Sequence, residues 1–86
     1  MAEISKLRKK VDEIDDQILT ALCERVKVCK AIGEAKKKQG KPIRDISRET
    51  EVFKRIQEKS DEFGLSPVQI ERVYHEIVNM CSAVQE

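Results

Sequence analysis

"SKLRKKVDEIDDQILTALCERVKVCKAIGEAKKK", Ser5 to Lys38, is the stretch on which the fold turns. In and beside it, apolar residues fall at Ile4, Leu7, Val11, Ile14, Ile18, Ala21, Leu22, Val28, Cys29, Ile32 and Ala35. Steps of three and four dominate, as one face of a helix requires. No proline interrupts before Pro42. Gly33 costs at most about 1 kcal/mol against alanine, which a long helix can carry. The spacing predicts one helix from Ser5 to Lys38, stopped near Gly40.

Two shorter helices follow. The second starts at Asp45 or Ser47, either of which is a suitable N-cap. Its apolar side is Val52, Phe53, Ile56 and Phe63, and Gly64 stops it. The third opens on "SPVQ": Ser66 as N-cap, Pro67 at the first helical position and Gln69 three residues on. Its stripe is Ile70, Val73, Tyr74, Ile77, Cys81 and Val84. The chain is 40% hydrophobic and 38% charged, with two prolines and no β-branched runs, which points to an all-α domain. Eighty-six residues form a single domain, 1–86.

The first helix poses a problem of length. Thirty-four residues at 1.5 Å each reach about 50 Å, whereas a compact globule of this chain is roughly 30 Å across. The short helices cannot cover so long a stripe. Either a second copy covers it, giving an intertwined homodimer of three-helix subunits, or the first helix breaks near Gly33 in a monomer.

Composition excludes several functions. A formal net charge of +1 and scarce aromatics argue against nucleic-acid binding by bulk electrostatics. No run is apolar enough to span a bilayer, and "MAEISKLRKK" has no secretory h-region. Cys23, Cys29 and Cys81 are odd in number and match no zinc or redox spacing. They read as reduced thiols in a cytoplasm. His75 is the only histidine, so no metal is expected.

The charges carry the functional signal. The seven-residue series Ile4, Val11, Ile18, Arg25, Ile32 puts an arginine where an aliphatic belongs. A buried charge costs several kcal/mol unless paired. No acid shares that stripe, since Ala21 and Cys29 lie four residues away on either side. Arg25 therefore either snorkels to solvent or finds its counter-ion in a ligand. Lys36 lies nearly three turns further on, on almost the same face and about 16 Å along the axis. The two cations could close on a small anion over a floor of Cys29 and Ile32. Arg8 faces about 100° away from Arg25. It is either an exposed residue of "KLRKK" or a contributor to the site of a partner chain.

The order Arg8, Arg25, Lys36, "PIRDISRE" (Pro42 to Glu49) and Gln85 resembles the AroQ-class chorismate mutases, the all-helical form of that enzyme. The spacing carries the resemblance: Arg, sixteen residues, Arg, ten, Lys, eight, Asp, two, Arg-Glu, then thirty-five to Gln. "LRKKVDEID" is also similar to the family's start. The resemblance implies an intertwined homodimer that converts chorismate to prephenate by a Claisen rearrangement, toward phenylalanine and tyrosine, with no cofactor, metal or covalent intermediate. It implies that Arg25 and Arg48 of one chain and Arg8 of the other hold the two substrate carboxylates, which arginine forks match bidentately. Lys36 and Gln85 resemble the catalytic donors to the ether oxygen, where negative charge grows. Glu49, with Asp45 close by, would accept the ring hydroxyl. Cys81 stands where the family often has serine. It either contacts substrate as a weak thiol donor or simply packs. Gln85 is the penultimate residue, so its order is expected to depend on ligand or dimer. Arg44 has no role by analogy. The alternatives are an isochorismate-pyruvate lyase of the same fold and a non-catalytic helical dimerisation or regulatory module. A start Met, with implied site residues near both ends, leads to the expectation of a free-standing enzyme.

Overall fold

The computed structural model describes residues 2–86. Three helices make up the chain: α1 (Ala2–Gln39), α2 (Ile46–Glu62) and α3 (Pro67–Gln85). No strand is present among the described residues, in keeping with the helical periodicity. α1 runs unbroken through Gly33, so the alternative of a break at that residue is overturned.

Each helix end has a local cause. Gly40 takes φ 67°, the left-handed conformation that closes α1. The Lys41 N–H then donates to the Lys36 carbonyl at 2.9 Å and the Gly40 N–H to that of Lys37 at 3.3 Å. This is a Schellman ending. Gly64, at φ 71°, closes α2 the same way, through Leu65 to Ser60 and Gly64 to Asp61. Of the two candidate caps, Asp45 begins α2: its Oδ1 accepts the Arg48 N–H at 3.0 Å. Ser66 caps α3, accepting the Gln69 N–H at 3.4 Å.

α3 packs against both α1 and α2, whose backbones do not pack on each other. The buried residues follow this arrangement. Cys29 of α1, Ile56 and Ser60 of α2, and Val78 and Gln85 of α3 are buried. The expected α3 stripe omitted Val78, because a helix held between two neighbours buries a wider face than one stripe. Phe63, expected on the inner side of α2, is instead its exposed C-terminal cap.

The molecule measures 57 × 24 × 16 Å, with a radius of gyration of 16.3 Å. A compact chain of this length would have a radius near 12 Å. α1 sets the long dimension. Along its N-terminal half, Ile4, Leu7, Val11, Ile14 and Ile18 remain between 49 and 56% exposed. No described helix is long and apolar enough to cross a membrane.

Candidate active site

A cavity of about 260 Å³ lies where the C-terminal halves of α1 and α3 meet the start of α2. Its walls include seven of the residues singled out by sequence: Arg25, Lys36, Asp45, Arg48, Glu49, Cys81 and Gln85. Arg8 is not among them. It lies on the exposed N-terminal half of α1, about 26 Å along the axis from Arg25.

α1 supplies two half-buried cations. Arg25 turns inward, its Nη1 donating to the Ile77 carbonyl of α3 at 3.4 Å, with the Cys29 Sγ at 3.8 Å. It therefore does not simply snorkel to solvent. Among the described residues, neither Arg25 nor Lys36 has a carboxylate partner. The Lys36 Nζ donates to the Ile43 carbonyl of the connector and, at 2.8 Å, to the Gln85 Oε1. An ammonium has three N–H donors, so one remains for a ligand.

Because lysine only donates, it fixes the Gln85 amide: Oε1 faces Lys36, and Nε2 faces away, 3.1 Å from the Cys81 Sγ. Gln85 is only 5% exposed and lies within α3. Contacts within one chain already hold it.

The connector "GKPIRDISRETE" (Gly40 to Glu51) delivers the rest. Asp45 spends one oxygen on the cap of α2. Arg44, which had no role by analogy, grips both oxygens of Glu49, at 2.8 and 3.1 Å. This contact, made by Nη2 alone, spans a helix start, where neither helical nor strand spacing applies, so no sequence pattern points to it. Arg48 meets Glu51 at 3.2 Å on the open rim.

The thiol expectation is corrected. Cys29 and Cys81 form a disulfide between α1 and α3, with Cα atoms 5.2 Å apart, while Cys23 is free and exposed. The partners are 52 residues apart in sequence, so only the helix packing brings them together. As a disulfide, Cys81 has no S–H to donate. Its sulfur acts as an acceptor for Gln85.

The cavity thus joins an apolar floor to cations presented from two helices and two carboxylates at its mouth. A model of the family described as chorismate mutase type II matches residues 7–86. The chain is 38% identical to a bifunctional chorismate mutase/prephenate dehydratase of Aquifex aeolicus, over 100% of this chain and 25% of that protein. It is 36% identical to a chorismate mutase of Methanocaldococcus jannaschii, over 73% of this chain and 64% of that one. It therefore spans a quarter of the first relative's length and just under two thirds of the second's. A conserved hypothetical protein from Pyrococcus furiosus superposes with a TM-score of 0.77 at 28% identity, covering 100% of this chain and 99% of that one. With nearly its whole length matched, the chain belongs to the chorismate mutase type II family.

Proposed function

We propose that residues 1–86 act as one catalytic domain that rearranges chorismate to prephenate, working as a homodimer. The observation that carries this reading is the charge of the cavity. Four cations (Arg25, Lys36, Arg44, Arg48) against two carboxylates (Asp45, Glu49) leave a net +2. Chorismate carries two carboxylates, so charge and ligand match.

Arg25 and Arg48 bind those carboxylates, with Arg8 of the second copy completing the grip. The Arg48–Glu51 pair is solvated and worth at most about 1 kcal/mol, so turning Arg48 onto substrate costs little. Clamping both carboxylates holds the flexible substrate in its reactive chair-like conformer. The ether C–O bond then breaks as the new C–C bond forms, and no group leaves. Breaking runs ahead, so negative charge grows on the ether oxygen. The third N–H of Lys36 and the Nε2 of Gln85 donate to it. The Ile43 carbonyl and the Gln85 Oε1 already fix the lysine, so little reorganisation accompanies the reaction. Glu49, with Asp45, accepts the ring hydroxyl. The Arg44 Nη2 pairs with Glu49, which leaves the two α1 cations without a carboxylate partner.

The deciding experiment mixes the protein with chorismate, follows its loss and identifies the product. Prephenate supports this reading. Pyruvate and salicylate from isochorismate would assign the lyase reaction instead, and no turnover of either by folded protein would end both. Lys36→Ala should lower kcat by at least about a hundredfold, the scale for one oxyanion-type donor. Unchanged turnover would make Lys36 an ordinary half-buried lysine.

A further inference from the structure

Gly33 is buried in α1, three residues before Lys36 and on the same face. A Cβ at this position would lie 2.7 Å from the Cγ of Gln85 and 2.9 Å from its Cβ and its Cα. The Cγ could swing away. The Cα is backbone, so the last turn of α3 would have to move. Glycine inside a helix is unfavourable relative to alanine. Here it leaves the space into which Gln85 docks, with its aliphatic stem on Gly33 and its Oε1 on Lys36.

We infer that Gly33 is a positioning residue: its missing side chain sets how closely the Gln85 amide approaches the Lys36 ammonium. This rests on the reading of Lys36 and Gln85 as donors to one oxygen. Two donors serve one atom only if both lie about 2.7–3.1 Å from it. Relieving a 2.9 Å contact to an ordinary 3.4 Å moves Gln85 by about 0.5 Å. A displacement of about 1 Å is enough to cost a hundredfold in rate. The atoms nearest a Cβ at Gly33 all belong to Gln85 and not to the carboxylate-binding arginines, so the effect falls on kcat and not on KM.

The test compares Gly33→Ala, Gln85→Ala and the double variant. Each is measured for kcat, KM, helicity and the side-chain amide resonances of Gln85 where that residue is retained. Gly33→Ala should lower kcat at least about tenfold, with KM changed by less than about threefold, and should shift the Gln85 amide resonances. In the Gln85→Ala background it should lower kcat by no more than about twofold, because the group it displaces is gone. An equal loss in both backgrounds would show general damage to the fold and overturn the inference, as would a Gly33→Ala protein with unchanged kcat. If Gly33→Ala does not fold, the wild-type protein still decides: a nuclear Overhauser contact between the Gly33 α-protons and the Gln85 stem is expected, and its absence sinks the proposal. Failure of the functional reading looks different. Wild type would then not turn over chorismate, while the amide shift and the Overhauser contact would still report whether Gly33 places Gln85.

Discussion

Arg25 occupies an aliphatic register position, half-buried, with no carboxylate beside it. Its contacts are a backbone carbonyl and a sulfur, which offset little of the cost of withdrawing a guanidinium from water. The Ile77 carbonyl lies inside α3 and keeps its own helical partner without Arg25. Arg25→Met should therefore leave stability unchanged or raise it by about 1 kcal/mol, as replacement of buried charges by apolar side chains of similar volume often does. The same change should raise KM for chorismate roughly tenfold to a hundredfold, the worth of a charge-assisted hydrogen bond. Thermal melts and steady-state kinetics on one preparation check both halves. A large fall in melting temperature with an unchanged KM would make Arg25 a structural residue. This opposition of stability and binding explains why Arg25 was visible as a fault in a pattern, whereas Arg44 was not. A charge in an apolar series breaks a rule, but an exposed arginine in a connector breaks none.

At the scale of elements, both glycine endings have the same cost and different consequences. Beyond its chain neighbours, neither Gly40 nor Gly64 has an atom within 4 Å of where a Cβ would stand, so alanine at either meets only backbone strain. That strain is about 1–2 kcal/mol for a left-handed residue. Gly64→Ala should lower the melting temperature by about 4–8 °C per kcal/mol and leave kcat alone. Gly40→Ala should destabilise by a similar amount but also lower kcat. The connector it opens carries the Ile43 carbonyl to Lys36 and Asp45 to the cavity mouth. Equal kinetics in the two variants would show that the connector's path does not matter to the site. The three helices, their caps and the Arg25–Lys36 pair were legible because each leaves a local trace: a period, a turn residue or a misplaced charge. As site residues, Asp45, Arg48, Glu49, Cys81 and Gln85 were singled out only by the family resemblance. What depends on two distant segments meeting left none. The Cys29–Cys81 bond, the docking of Gln85 on Gly33 and the burial of Val78 all arise from α3 lying between its neighbours.

The whole molecule is a 57 Å rod with its cavity towards one end and an uncovered apolar stripe on the other half of α1. Burying the remaining half of five aliphatic side chains would contribute on the order of 5 kcal/mol per chain. Ile14→Asp separates the cases. In a monomer it is a near-neutral surface change, whereas in a dimer it should halve the mass seen by sedimentation and lower the melting temperature. Arg8 lies on the same half of α1, too far from Arg25 to serve its own chain's cavity. In a dimer of crossed α1 helices it would instead complete the partner's. Equal amounts of Arg8→Ala and Lys36→Ala chains, unfolded and refolded together, test this. If Arg8 serves the other chain, each mixed dimer has one site with both defects and one with neither. Random pairing makes half the dimers mixed, so activity should return to about a quarter of wild type. If Arg8 serves its own chain, or no site at all, mixing gives no more than the average of the two parent variants. The homodimer and the crossing of Arg8 then stand or fall on whether the mixture exceeds the average of its two parents, each of which alone should turn over substrate far more slowly than wild type; an Arg8→Ala protein with wild-type turnover would show that Arg8 serves no site.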